Sequence, residues 1–379
     1  MIPVNEPWLQ DEDREALLEC FNSGWISSAG PYLEQFESAW AAYCGVKHGI
    51  AVSNGTTALQ VAVEAVGVGA SDEVIMPSFT IISCASAVVR AGGLPVLVDC
   101  DPVTFCMNAD EVAAKVTPRT KAIMVVHMYG HPVDMDPIVA VARRHDLKII
   151  EDAAEVHGAE YLTRRGTTHA AWRRCGGMGD IATFSFFANK LITTGEGGMV
   201  VTHDDELAKR SRSLRNLCFQ PSRRFLHYEH GYQFRMTSMQ AAIGLRQVDR
   251  MDTIIARKRW AAAGYTKALG GVKGLQLPAQ LDYGHSVYWV YGIVLDDAVP
   301  FDAAEFARRL AAVGVETRPF FLGMHEQPVF HEMGLLRDEC HPVTERIARR
   351  GLYLPSGLAL TQEQIDSVSA AVISVMEAA

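Results

Sequence analysis

The sequence of 379 residues lacks several features that define large classes of proteins. Its eight cysteines include no C-x-x-C pair, so their spacing indicates neither a zinc site nor a disulfide framework. No run of about 18 apolar residues is present to span a bilayer, and the N-terminus lacks the apolar stretch of a signal peptide. We therefore expect a cytoplasmic protein with reduced cysteines, no metal and no membrane partner.

The sequence also lacks a surplus of positive charge. Acidic residues (44) outnumber Lys and Arg (35), and the arginines cluster only in short pairs such as Arg164-Arg165. A nucleic-acid partner is therefore not expected. With 49% hydrophobic and 21% charged residues, the composition is that of a folded globular protein, and the length indicates two or three domains.

Between about residues 45 and 240, short apolar runs alternate with helical stretches. Near-continuous apolar strands separated by helices are typical of a mostly parallel sheet that is covered on both faces. We predict an α/β fold whose large domain contains a mostly parallel seven-stranded sheet. The predicted strands cover 48–53, 73–77, 94–100, 121–129, 147–152, 181–187 and 197–202.

The pattern changes near residue 250. One long helix is predicted to lead away from the sheet, with polar positions at Arg246, Arg250, Arg257 and Arg259. A strand, a helix and a second strand follow, and a final helix begins at Thr361. We predict a large domain over 1–250 and a small C-terminal α+β domain over 251–379.

Ligands of open α/β sheets bind at the carboxyl ends of the strands, so polar residues at those ends are the candidates for a site. The first strand leads into Asn54, Gly55 and Thr56, at the start of an apolar helix. Small residues there leave backbone N–H groups free to bind a phosphate, and the helix dipole favours its charge. The alternative, that Asn54 or Thr56 is an ordinary helix cap, stays open.

Two further candidates follow later strands. Asp152 ends a strand and Glu155 lies three residues on, so a carboxylate is available for a cation such as a protonated ring nitrogen. Asp152 alone is equally well explained as a cap. Lys190 follows an aromatic strand that also carries Ser185, and a lysine in an apolar pocket loses proton affinity and becomes nucleophilic. A lone lysine would be a surface charge, but the combination of the three sites favours a nucleophile.

In this order, the three sites resemble those of the DegT/DnrJ/StrS family of sugar aminotransferases, which use pyridoxal 5′-phosphate on a type I aminotransferase fold. The resemblance covers nearly the whole chain and depends on the motifs VSNGTTAL, DEVIMPSFT, IEDAAE, FSFFANKLITTGEGGMV, GYQFRMTSMQAAIGL and ETRPFF. It implies that Lys190 binds the cofactor covalently and acts as general base, and that Asp152 pairs with the pyridinium nitrogen. Glu155 would lie near the ring hydroxyl, and the phosphate would be bound by Gly55, Thr56 and Ser185.

Two positions depart from the family pattern. Ile81 stands where many members place an aromatic residue that stacks on the cofactor ring, and Gln233 replaces an Asn that reaches the phosphate from the neighbouring subunit. The resemblance therefore implies a homodimer whose active site is shared between subunits. Candidates for contact with the sugar or its diphosphate are Arg235, Arg318 and His325.

The implied reaction is a two-step transamination from L-glutamate to a nucleotide-linked 4-keto-6-deoxy sugar. Within the family, the motifs are most similar to those of 4-aminotransferases acting on GDP-4-keto-6-deoxymannose, and a dTDP- or UDP-linked keto sugar is the alternative. Related 3-dehydratases carry His at the position of Lys190. No G-x-G-x-x-G follows the early strand, which argues against a nicotinamide-dependent oxidoreductase.

The stretch 162–179 is longer than the hairpin usual in the family and carries four arginines. We interpret it as a solvated loop, with contact to a nucleotide diphosphate or a partner chain as the alternative. His127 and His131 lie four residues apart, but at a strand end and its turn rather than on a helix face, so a metal is not expected there.

Overall fold

The computed structural model describes residues 1–220 and 222–378. Its helices are α1 Asp11–Ser23, α2 Pro31–Cys44, α3 Gly55–Ala65, α4 Ile82–Arg90, α5 Ala109–Val112, α6 Met135–His145, α7 Asp205–Arg215, α8 Ser238–Val248, α9 Met251–Leu269, α10 Ala303–Ala312, α11 Pro328–Glu332, α12 Pro342–Arg350 and α13 Gln362–Glu377. Its strands are β1 His48–Val52, β2 Glu73–Pro77, β3 Leu94–Val98, β4 Thr120–Val126, β5 Lys148–Asp152, β6 Glu160–Thr163, β7 Ala171–Arg174, β8 Ile181–Ser185, β9 Gly198–Thr202, β10 Leu275–Gln276, β11 Gly284–His285, β12 Tyr291–Leu295, β13 Arg318–Pro319 and β14 Gly351–Leu354.

The large sheet has seven strands in the order β1-β9-β8-β5-β4-β2-β3. Strand β9 is antiparallel to both of its neighbours, and the other pairs are parallel. All seven predicted runs are strands of this sheet, so the predicted α/β fold is confirmed. The carboxyl ends of the parallel strands therefore meet at one edge, which is where ligands of such sheets bind.

The small antiparallel sheet has the order β10-β12-β14-β13 and forms a second core with α9, α10 and α13. The N-terminus also reaches this unit, because Ile2 forms a bridge with Val315 and the N–H of Ser356 donates to the carbonyl of Val4 at 2.9 Å. The first residues of the chain thus pack against the C-terminal part. The domain boundary at residue 250 stays a prediction.

The single long helix predicted around residue 250 is wrong. Helix α8 ends at Val248 and α9 begins at Met251, with Arg250 in a non-helical conformation between them (φ −115°, ψ 20°). The guanidinium of Arg250 forms an ion pair with Asp13 of α1, whose side chain is only 3% exposed. Arg250 therefore does not belong to a solvated face: it ties the junction of the two helices to α1.

Much of the stretch 162–179 belongs to a β-hairpin, because β6 pairs with β7 on one side and with β11 on the other. Arg165 forms an ion pair with Asp134 at 2.6 Å. Arg174 lies over the ring of Tyr43 at 4.0 Å. Two of the four arginines thus hold the hairpin against neighbouring elements.

Candidate active site

A cavity of about 630 Å³ opens at the carboxyl ends of β4, β5 and β8. Its lining includes residues from all three candidate places, which lie on separate parts of the chain: the start of α3, Asp152 with Glu155, and Ser185 with Lys190. Because the end of each parallel strand delivers its residues to the same edge, the topology brings these groups together.

The Lys190 side chain is 10% exposed and faces the cavity from the turn that follows β8. Its Nζ lies 3.9 Å from Oε1 of Glu155 and 3.6 Å from the centre of the Trp289 ring. Burial lowers the pKa of Lys190, while the carboxylates of Glu155 and Asp152 act in the opposite direction. The result is an amine that is more easily deprotonated than an exposed lysine.

Glu155 lies on the segment that follows β5. Its Oε2 accepts the backbone N–H of Tyr129 at 2.8 Å. Burial raises the pKa of Glu155 to about 7, against the opposing charge of Lys190. Burial therefore makes the neutral form of Glu155 more favourable than that of an exposed carboxyl, beside an amine that burial makes easier to deprotonate.

Asp152 is 3% exposed and is held at both carboxylate oxygens. Oδ1 accepts the N–H of Ala154 at 3.0 Å, and Oδ2 accepts the thiol of Cys84 at 3.1 Å. Burial and the nearby Asp152 carboxylate raise the pKa of Cys84 well above its ordinary value, so the thiol keeps its proton and remains a donor. In the sequence Cys84 is an ordinary cysteine of an apolar helical run, so its hydrogen bond to Asp152 could not be predicted.

The start of α3 fits a phosphate group. A Cβ on Gly55 would lie 2.7 Å from the Cβ of Ser185, so glycine leaves the gap between the two residues open. The side chain of Asn54 accepts the N–H of Thr57 at 2.9 Å and caps the helix. The N–H groups of Gly55 and Thr56 remain in the first turn, where no helical carbonyl reaches them and the dipole favours an anion. The cap and the phosphate site are compatible.

Three aromatic residues from the C-terminal part of the chain line the same cavity, namely Trp289, Phe321 and Tyr353. Trp289 donates its indole N–H to the carbonyl of Asn189 at 2.7 Å. The side-chain oxygen of Asn189 is buried without a hydrogen-bond partner among the described residues, although the residue lines the cavity. A buried acceptor without a partner is uncommon in a folded protein.

Of the remaining candidate residues, Ile81 lines the cavity at the start of α4, with 38% exposure. Gln233 is exposed and is not among the lining residues of its own chain. Arg235 donates to the side-chain oxygen of Asn216 at 2.6 Å. Gln233 and Arg235 therefore lie outside the cavity lining.

Arg318 pairs with Glu316 at 2.9 Å on β13. His325 is 5% exposed, with Nδ1 2.7 Å from the hydroxyl of Ser78 and Nε2 3.2 Å from Glu345. The structure therefore gives His325 protein partners on both ring nitrogens. Neither Arg318 nor His325 belongs to the cavity lining.

His127 and His131 each have partners within the protein. His127 lies between Glu151, at 3.1 Å, and the N–H of Val133, at 2.9 Å. His131 is close to the carbonyl of Pro132, at 2.8 Å. Residues 1–220 and 222–378 contain no group of three or more His, Cys, Asp or Glu that could hold a metal ion. The same residues contain no helix that is long and apolar enough to cross a membrane.

Comparison with known proteins adds an independent result. The model of the DegT/DnrJ/EryC1/StrS aminotransferase family matches residues 7–373. A GDP-perosamine synthase from Caulobacter vibrioides is 45% identical over 376 residues, which cover 99% of this chain and 98% of that protein. A putative pyridoxal phosphate-dependent aminotransferase, EpsN of Bacillus subtilis, is 30% identical over 371 residues, with 96% and 92% coverage.

A solved structure shares the whole fold. The aminotransferase TlmJ from Streptoalloteichus hindustanus superimposes with a TM-score of 0.91 at 32% sequence identity. The match covers 100% of this chain and 99% of that one, so the sheet and the smaller C-terminal unit have the same arrangement in both proteins.

Proposed function

The chain belongs to the DegT/DnrJ/EryC1/StrS aminotransferase family, and we propose that it transfers the amino group of L-glutamate to a GDP-linked 4-keto-6-deoxy sugar. The observation that carries this proposal is the buried amine of Lys190, 3.9 Å from Glu155 in a cavity that also contains Asp152. The substrate would be GDP-4-keto-6-deoxymannose and the product GDP-perosamine, the sugar named for the relative with 45% identity.

The residues of the cavity fit pyridoxal 5′-phosphate. Lys190 and Asp152 would hold its aldehyde and its ring nitrogen, and the phosphate would bind between Gly55, Thr56 and Ser185. When bound, the cofactor supplies a carbonyl that exchanges amino groups and a ring that withdraws electrons. The hydrogen bonds from Cys84 and Ala154 hold both carboxyl oxygens of Asp152 in place for this contact.

Lys190 moves the proton in both halves of the reaction. Its Nζ would take the proton from Cα of glutamate in the first half and deliver a proton to C4 of the sugar in the second, and each uptake of a proton requires a neutral amine. Burial supplies that form by lowering the pKa of Lys190. Glu155, 3.9 Å away, is the group that would stabilise the ammonium formed when the proton is held.

The apolar part of the cavity suits a deoxy sugar. Trp289, Phe321 and Tyr353 present aromatic surface beside Lys190, on which the face of a sugar ring and its methyl carbon can pack.

A substrate panel tests the proposal. The purified protein is incubated with pyridoxal 5′-phosphate, L-glutamate and 4-keto-6-deoxy sugars linked to GDP, dTDP or UDP, and the amino sugar is detected by mass spectrometry. We expect an amino product from the GDP sugar with an equal amount of 2-oxoglutarate. A product from the dTDP or UDP sugar alone would contradict the GDP assignment but not the transamination.

We also propose a homodimer in which each subunit completes the site of the other. Gln233 is exposed and does not line the cavity of its own chain. Its amide could therefore reach the cavity of the partner subunit. The preceding segment carries Phe225 and Tyr228, which are 82% and 77% exposed. Large exposed aromatic side chains favour burial in an interface, and a closed pair with twofold symmetry is the commonest arrangement.

A further inference from the structure

Trp289 is fixed at two points. Its indole N–H donates to the carbonyl of Asn189, the residue that precedes Lys190, at 2.7 Å. Its backbone carbonyl accepts a hydrogen bond from Nζ of Lys258 at 2.8 Å. Between these two points the indole ring lies 3.6 Å from Nζ of Lys190, close enough for a cation–π contact whenever that amine is protonated.

Lys258 lies on α9 and is 3% exposed. Besides the carbonyl of Trp289, its Nζ donates to the carbonyl of Ser356. These two carbonyls belong to the segments that flank the small sheet, just before β12 and just after β14. No carboxylate of the described residues forms an ion pair with Lys258, and burial lowers its pKa to about 7. The amine of Lys258 therefore donates to two buried backbone carbonyls, which would lose these hydrogen bonds if an apolar side chain replaced it.

The two buried lysines are thus connected through one aromatic residue. We propose that Lys258 is a positioning residue for Lys190, and that it acts by fixing Trp289 against the reacting amine. This inference rests on the proposed function of Lys190 as the residue that binds the cofactor and moves the proton. It does not depend on which sugar is the substrate.

The other charged and titratable groups near Lys190 cannot replace this contact. Glu155 and Asp152 act on the amine from the segment around the end of β5, and Cys84 acts from α4. His157 is fully buried and its pKa is lowered to about 3 by burial and by the nearby Lys190, so it carries no charge near neutral pH. All four lie in the large-domain part of the chain, whereas Trp289 approaches from the segment that leads into β12.

Lys258→Met tests the proposal because methionine fills similar volume without a donor. The first measurement uses cofactor-free protein and no sugar. It follows by absorbance the condensation of the Lys190 amine with the aldehyde of pyridoxal 5′-phosphate, which releases one water. We expect the rate to fall at least about tenfold, since small misplacements of reacting groups carry costs of this size.

The second measurement is the glutamate half-reaction with substrate deuterated at Cα. If Lys190 is misplaced, proton transfer becomes the slow step. The maximal rate constant of the half-reaction then falls, the glutamate concentration that gives half of this rate changes little, and the isotope effect rises. A variant that is merely less stable would show neither change. Lys267→Met is the matched control because Lys267 lies on the same helix and is exposed. We expect it to behave as the unmodified protein.

Trp289→Phe provides a second route to the answer if Lys258→Met fails to fold. It keeps an aromatic ring but removes the hydrogen bond to Asn189, and we expect a smaller decrease in the same rate with the same rise in isotope effect. An unchanged condensation rate and isotope effect in folded Lys258→Met, or in Trp289→Phe, would overturn the proposal. If the unmodified protein shows normal condensation kinetics but no turnover of the GDP-linked sugar, that result would instead contradict the proposed substrate.

Discussion

Two opposing influences meet at the amine of Lys190. Burial favours its neutral form, and the carboxylates of Glu155 and Asp152 favour its charged form. This balance suits a group that must react as a nucleophile and then carry a proton, because a catalyst of this kind works best when its pKa is near the working pH.

Replacement of Lys190 by Ala should remove both roles at once. We expect the absorbance of the lysine-bound cofactor to disappear and turnover to fall by at least about 10²-fold to 10⁴-fold, the range typical of a lost general base. Lys273→Ala, at an exposed position, serves as the control. Turnover at the original rate in Lys190→Ala would contradict the assignment.

His131 gives a pH dependence that can be measured on the folding equilibrium. Nδ1 donates to the carbonyl of Pro132 at 2.8 Å, and Nε2 accepts the N–H of Leu281 at 3.4 Å, so the ring is arranged as the neutral form. Burial lowers the pKa of His131 from 6.5 to about 4. The unfolded chain therefore binds more protons between these values, and the stabilisation present above pH 6.5 is lost as the pH falls towards 4.

The expected loss is about 3 kcal/mol of unfolding free energy across this window. His131→Gln should show a smaller decrease than the unmodified protein when denaturant unfolding at pH 7 is compared with unfolding at pH 4.5. His169→Gln, an exposed control, should leave the decrease unchanged. Equal pH dependence in the His131 variant and the unmodified protein would refute the neutral assignment.

At the scale of elements, the start of α3 joins a helix cap to a ligand site. A methyl group at Gly55 would lie 2.7 Å from the Cβ of Ser185 and would occupy the space proposed for the phosphate. We expect Gly55→Ala to weaken cofactor binding by at least about tenfold, because the phosphate loses close approach to the backbone N–H groups. Equilibrium dialysis measures this. Gly271→Ala is the control, since a Cβ there meets no atom within 4 Å.

The junction of α8 and α9 depends on the ion pair between Arg250 and Asp13, whose side chains are 17% and 3% exposed. Asp13→Ala leaves the guanidinium without its partner in a mostly buried site, and we expect a loss of about 3 kcal/mol in unfolding free energy. Asp11→Ala breaks the exposed pair with Arg14 and should cost less than about 1 kcal/mol. Similar losses in the two variants would contradict the role of the buried pair.

Elements that bury their side chains on both faces could be predicted from the sequence. The seven strands of the large sheet are short apolar runs in the sequence, and each of them was predicted. The junction at Arg250 could not be predicted, because the helical spacing of apolar residues continues through it. The residue that pairs with Arg250 at this junction lies 237 residues away, in α1.

At the scale of the whole molecule, the polar half of the site was predictable and the aromatic half was not. Asp152 and Lys190 follow strands of one sheet, and the topology of parallel strands fixes where those ends meet. Trp289 and Tyr353 belong to the C-terminal part, and their position beside Lys190 depends on how that part packs against the sheet. In the sequence, Trp289 and Tyr353 lie in apolar runs and have the pattern of ordinary core residues.

If each active site is shared between two subunits, two variants with different defects should complement each other in a mixed dimer. Lys190→Ala removes the amine from a site, and Gln233→Ala removes the amide that we expect to reach the phosphate in the partner's site. In a mixed dimer of the two variants, one site combines the intact Lys190 of one chain with the intact Gln233 of the other. Its second site lacks both groups.

Unfolding and refolding the two variants together should therefore restore activity, when it is assayed at a cofactor concentration too low for either variant alone. Random pairing makes half of the dimers mixed, each with one complete site, so about one quarter of the unmodified activity is expected. Each variant refolded alone is the control, and sedimentation establishes that the mixture is dimeric. Because Gln233 is exposed and outside its own cavity, a failure of the mixture to exceed the separate variants would mean that each chain builds its site alone.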